Sequence, residues 1–190
     1  MAHSFHPGRR ALFAVWRDDD ALDEFLATHP VARRWRAAGE ASWHVRLRLI
    51  DGHGSWNGVE LLDALEPART RSGSVVTVTR AAIGVRALPA FTRRARAITG
   101  TIGAVPGLRV VVGVGDVPVA RLGTVAVWDD DAAATRAVDE WHAHATAMRA
   151  AIADGWFTEA MFARFEPYRA RGTWSGTDPL RERPHRPQGR

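Results

Sequence analysis

Residues 123–131 read GTVAVWDDD, and residues 11–20 read ALFAVWRDDD. Each is a short apolar run that closes on Ala-Val-Trp and passes at once into acidic residues. The run suits a buried strand. The acids suit a helix start, because carboxylates accept the free first-turn N–H groups and complement the helix dipole. The likeness continues downstream. His29-Pro-Val-Ala-Arg-Arg34 aligns with His144-Ala-Thr-Ala-Met-Arg149, and Gly54-Ser-Trp56-Asn-Gly58 aligns with Gly172-Thr-Trp174-Ser-Gly176. The chain therefore carries an internal duplication whose unit is β-α-β with an aromatic-glycine closing turn.

Working outward, residues 11–16 are expected to be a strand, followed by helices over Ala21–Ala27 and from Pro30 to Ala38, stopped by Gly39. Residues 41–50 alternate, with Trp43, Val45, Leu47 and Leu49 against His44, Arg46 and Arg48, which predicts a half-exposed strand. Residues 59–73 read as a loop with a helical turn, 74–80 as a β-branched strand, and 86–103 as a helix. Pro106-Gly107 is a turn between that helix and a strand at 108–114. A strand at 122–128 follows, then a helix capped by Asp129–Asp131 that runs to about Ala153. Residues 157–168 are either a short helix and a strand or one bent strand. From residue 74 on, the order is β-α-β-β-α-β, that of a ferredoxin-like unit. The expected organisation is a β-α-β half-unit over 1–62, a ferredoxin-like unit over 63–180, and a disordered basic tail over 181–190. The fold class is α+β. Helices on one side of an antiparallel sheet leave the other face needing cover, so two sheets stacked within or between chains would close the core.

Composition narrows the chemistry. The chain has 190 residues and no cysteine, which removes disulfides, iron–sulfur clusters and thiolate haem ligation. All its basic residues are arginine, which removes Schiff-base lysine chemistry and the P-loop lysine. The net charge of +5 sits largely in Arg33, Arg34 and Arg36, in Arg93, Arg94 and Arg96, and in the tail. These arginines read as solvated helix faces, with attraction to acidic ligands or anionic lipid as the alternative; they are dispersed, and no nucleic-acid partner is expected. The apolar stretch Leu108–Trp128 is interrupted by Arg109, Asp116, Pro118 and Arg121, so it is not a membrane span. A cytoplasmic location is expected.

Several motifs fail. Gly113-Val-Gly115-Asp-Val-Pro118 lacks the third glycine and precedes a strand, so it is no dinucleotide loop. His142 and His144 are two apart, on different faces of a helix, and would not chelate one ion together. The Asp triplets are better helix caps than metal ligands. His144 remains, on the last long helix between Ala143, Ala145 and Ala147, where small neighbours would let a flat macrocycle approach. An exposed or hydrogen-bonded helix histidine fits the same spacing, and His142 competes on the same helix.

His144 through Phe165 (HATAMRAAIADGWFTEAMFARF), the Thr124–Asp129 strand, Gly172-Thr-Trp-Ser-Gly-Thr-Asp-Pro179-Leu, Val76-Thr-Val-Thr-Arg80, and Gly107-Leu108 through Gly113 and Gly115 resemble the spheroidene monooxygenase-like family. The resemblance covers roughly residues 7–180. It implies a homodimeric α/β barrel, of the superfamily that includes chlorite dismutase and dye-decolorising peroxidase. It implies haem b and oxidation of a small or apolar organic molecule with O₂ or peroxide. In that reading His144 is the iron ligand and Arg149 pairs a haem propionate. Arg80 serves the distal side or the other propionate, and Trp128, Trp156 and Phe157 line the pocket. Family members are expected to begin with a further β-α segment, and this chain starts at what would be the middle. A cofactor-free oxygenase or isomerase of the same superfamily, and a non-catalytic binder of haem or another apolar ligand, are the competing expectations.

Overall fold

The structure, a computed structural model, describes residues 2–3, 12–38, 42–60, 65, 67, 73–87, 89, 105–116, 121–137, 155 and 157–181. Its elements are β1 (Ala2–His3), α1 (Asp19–Thr28), α2 (Pro30–Ala38), β2 (Trp43–Gly54), β3 (Val75–Ile83), β4 (Leu108–Asp116), β5 (Arg121–Trp128), a helical stretch α3 (131–137) and β6 (Phe157–Gly172). The chain forms two compact units, Met1–Pro7 with Val45–Arg169, and Gly8–His44 with Ala170–Arg190.

The larger unit is built on a sheet of order β1-β4-β5-β3-β6-β2. Its four central strands, β4-β5-β3-β6, pair antiparallel throughout. In chain order that is second, third, first, fourth, the strand arrangement of a ferredoxin-like unit. The protein is α+β, as the element order predicts. The sheet is open: β1 is one edge, paired parallel to β4 through Ala2 and Val111, and β2 is the other. The closed barrel that the resemblance implies is not formed within it. The helical readings over 86–103 and beyond residue 137, the loop at 59–73 and the basic tail lie largely outside the described residues. Val85–Ala87 is a single 3₁₀ turn.

Register sorts the side chains into two faces. Val75 pairs with Trp128 and Thr77 with Ala126. Their face meets α3, where Val75, Val111, Ala126 and Trp128 pack with Ala133, Ala134 and Ala137. The small alanines let α3 lie close to the sheet. Asp130 caps it, its Oδ1 accepting from the Ala133 N–H at 2.7 Å. Asp129 accepts from Arg109 Nε at 2.5 Å, and Asp131 accepts from Arg164 Nη1 at 2.9 Å. The triplet thus serves the helix start and two ion pairs. On the opposite face, Val76, Val78 and Val127 are also almost wholly buried. Burying each stabilises the fold by roughly 1.5–3 kcal/mol.

Three strand readings change. β2 runs on to Gly54, and β6 is one strand of Phe157–Gly172 with no helix within it. The expected strand at 11–16 is corrected: residues 12–16 are irregular, with Leu12 54% and Val15 46% exposed. Its counterpart β5 lies between β3 and β4, whereas no strand among the described residues pairs with 12–16. An apolar run needs ladder neighbours to become a strand.

In the smaller unit, Asp18 caps α1 by accepting from the Ala21 N–H at 2.7 Å. Phe25 packs between Trp16 and His29, with ring centroids 4.8 and 4.6 Å away. Trp43 Nε1 donates to Asp178 at 3.2 Å. The duplicated closing turns have one local geometry. Trp56 and Val59 exchange both backbone hydrogen bonds, as do Trp174 and Thr177. Asn57 and Ser175 sit at φ 53° and 52°, followed by Gly58 and Gly176 at 75° and 82°. Two successive positive φ values make each a primed hairpin turn, which is why a glycine closes both.

Candidate functional site

Arg80 stands near the end of β3 and is only 7% exposed. A guanidinium cannot lose its charge in a protein, so burying it demands partners. Directly opposite on β6 is Met161, and the diagonal neighbour two residues away is Glu159. Arg80 Nη1 donates to Glu159 Oε2, and Nη2 donates to Asn57 Oδ1 at 3.0 Å. The indole of Trp56 covers the guanidinium, 4.7 Å from ring centroid to Cζ, a cation–π contact.

Glu159 is the hub. Its Oε1 accepts from Ser55 Oγ at 3.1 Å and from the Gly58 N–H at 2.7 Å. The Arg80 hydrogen bond, then the backbone donors of the turn, hold its carboxyl down to about 2 from an ordinary 4.5. The turn 54–58 is thereby fastened to the sheet through one carboxylate and one guanidinium. Gly54 allows this approach, since a Cβ there would lie 2.1 Å from the Ala160 carbonyl oxygen.

A second ion cluster lies on the α3 face. Arg164 bonds Asp51 with both Nε and Nη2, and its Nη1 reaches Asp131 and Thr135. The Asp51 hydrogen bond raises the pKa of Arg164 further. This cluster ties β6, β2 and α3 together. Beside it is a small acid-edged cleft of about 160 Å³, lined by Ile50, Val75, Asp130, Asp131 and Glu166 among others. It lies on the face away from Arg80.

Of the residues singled out from the sequence, Arg80, Trp128 and Phe157 are described. His144, Arg149 and Trp156 lie outside the described residues. Trp128 is a core residue whose Nε1 donates to Thr77 Oγ1 at 2.9 Å. Phe157 opens β6 opposite Ile83 and is half-buried. Arg80 is brought together with neither of them, but with Glu159, Ser55, Trp56 and Asn57. Those residues were not picked out as site residues, although the repeated Gly-Ser-Trp-Asn-Gly turn marked the place. Among the described residues no group of three or more His, Asp or Glu could hold a metal ion.

An open α+β sheet with one buried arginine–glutamate pair at the end of its central strand is the class the geometry defines. Comparison with known proteins adds the family. The chain is 32% identical over 173 residues to spheroidene monooxygenase of Rhodobacter capsulatus, covering 90% of this chain and 71% of that one. It is 29% identical over 177 residues to the Cereibacter sphaeroides protein of the same name, covering 90% and 53%. It is 31% identical over 169 residues to that of Rubrivivax gelatinosus, covering 88% and 64%. The chain thus spans between about half and seven-tenths of the length of these relatives. No family model and no solved structure matches. The chain belongs to the spheroidene monooxygenase family, whose members named here are monooxygenases. No described helix is long and apolar enough to cross a membrane.

Proposed function

We propose that this chain is a monooxygenase that inserts one oxygen atom into a small or apolar organic substrate, either from O₂, with a two-electron donor reducing the other atom to water, or from peroxide, which needs no donor. The observation that carries the reading is the match to three monooxygenases over about nine-tenths of the chain. Their printed name makes spheroidene the first substrate to assay. An apolar substrate also accords with the valine-rich face of the sheet on which Arg80 stands.

The reading includes haem b held by His144, with Arg149 pairing a propionate, in a homodimer. It is supported by the sequence resemblance, and within it haem supplies oxygen activation. Arg80, bonded to Glu159 and Asn57, is assigned to the distal side or to the other propionate. The test is an absorption spectrum of purified protein before and after haemin, for wild type and His144→Ala. A sharp Soret band that the substitution shifts or abolishes is the expected result. No specific band would remove haem from the proposal.

A further inference from the structure

Asn57 is the one asparagine in the 190-residue chain, and a glycine follows it. An asparagine before glycine is prone to cyclise, because no side chain shields the next backbone nitrogen. Here a Cβ at Gly58 would meet nothing within 4 Å. Both residues are exposed, so water reaches them. The reaction needs no other reagent. The Gly58 nitrogen loses its proton and attacks Asn57 Cγ. The new C–N bond closes a succinimide, and the side-chain nitrogen leaves as ammonia. One water then opens the ring, leaving aspartate or isoaspartate at position 57.

The folded turn opposes each part of this step. Asn57 sits at φ 53° in a primed turn of the first type, where ψ is about 30°. That rotation carries the Gly58 nitrogen to the side of Cα away from Cβ, out of reach of Cγ. The side chain cannot swing to meet it, because Asn57 Oδ1 accepts from Arg80 Nη2 at 3.0 Å. The Gly58 N–H is donated to Glu159 Oε1 at 2.7 Å. Losing that proton would set an amide anion against a carboxylate. Glu159, held down to about 2, is too weak a base to take the proton itself. Arg80 on Oδ1 makes Cγ more electrophilic, but that helps only where the nitrogen can approach. The backbone alone does not call for asparagine, since Ser175-Gly176 forms the same turn at φ 52° and 82°.

We propose that Asn57-Gly58 is a modification site for deamidation, and that the Arg80–Glu159 pair keeps it closed through one bond to each reacting residue. Cyclisation then proceeds only from molecules in which the turn has opened, so its rate follows the open fraction. Conversion is irreversible. It places a second carboxylate beside Arg80 or, as isoaspartate, a further backbone atom within the turn. The proposal stands independently of the monooxygenase reading.

The test is incubation of the full chain in mildly alkaline buffer, with the amide-to-acid mass change followed on the peptide that contains residue 57. The same chain held unfolded in guanidinium chloride gives the unguarded rate. Folded wild type is expected to convert far more slowly than the unfolded chain. Glu159→Gln and Arg80→Met, each folded, are expected to convert roughly tenfold faster than wild type. Trp128→Phe weakens the core and leaves the pair in place, so it controls for general unfolding and is expected to stay near the wild-type rate. Should the first two variants not fold, Ser55→Ala removes one donor that fixes Glu159 and is expected to raise the rate by a smaller factor. Folded wild type converting at the unguarded rate overturns the proposal. So do pair variants no faster than wild type, or Trp128→Phe accelerating as much as they do.

Discussion

Arg80 and Glu159 sit on adjacent antiparallel strands, diagonal to one another across the pair Arg80–Met161, and bond through Nη1 and Oε2. That diagonal spacing is within reach of two long side chains. It joins a central strand to a closing turn more than twenty residues earlier in the chain, since Glu159 also accepts from Ser55 and Gly58.

The pair gives stability a defined pH dependence. The Glu159 carboxyl is lowered in the folded protein, so its contribution is complete above its ordinary value of 4.5 and is lost as pH falls toward about 2. The contribution is about 1–2 kcal/mol once solvent screening near the turn is allowed for. Denaturant unfolding of wild type and Glu159→Gln between these pH values checks it. The wild type is expected to lose stability more steeply, and parallel curves would refute it.

Removing one partner costs more than removing both. Arg80→Met strands a carboxylate beside apolar rows, and a loss of about 3 kcal/mol is expected at neutral pH. Arg80→Met with Glu159→Gln is expected to recover part of it. A double-mutant cycle by urea unfolding reads the coupling.

Glycines of the closing turn separate strain from clash. Gly54, at φ 87°, faces the Ala160 carbonyl at 2.1 Å from a Cβ, while Gly58, at φ 75°, has nothing within 4 Å. Gly58→Ala should cost about 1 kcal/mol, from backbone conformation alone. Gly54→Ala should cost more than about 2 kcal/mol, because β2 must also shift from β6. Thermal melts of both variants decide it.

The resemblance implies a pocket-lining role for Trp128, and in the structure its indole donates to Thr77 inside the core. Trp128→Phe leaves that hydroxyl without its donor and should cost roughly 1–2 kcal/mol. Adding Thr77→Val, which removes the stranded group, should restore part of the loss. Calorimetric melting of the single and double variants is the check.

The parts of this fold that are legible in the sequence are those fixed by local chemistry. Asp18 and Asp130 cap helices because a short carboxylate reaches the N–H three residues on. The β-branched runs of β3, β4 and β5 place their strands, and Pro106-Gly107 the turn before β4. Residues 11–16 misled, because their pattern equals that of β5, yet a strand is defined by neighbours that a single segment does not specify. Glu159 is not legible for a related reason. On β6 it reads as one exposed acid in an alternating strand. Only the register against β3, and the return of the Gly54–Gly58 turn, bring it to Arg80.

Incubation of haem-reconstituted protein and the proposed first substrate with isotopically labelled dioxygen plus a two-electron reductant, and in parallel with labelled hydrogen peroxide, tests the central claim most directly, with mass spectrometry of the product. The account predicts a product carrying one labelled oxygen atom, formed by wild type and lost in His144→Ala. Wild-type protein with no labelled product, indistinguishable from His144→Ala, would contradict it.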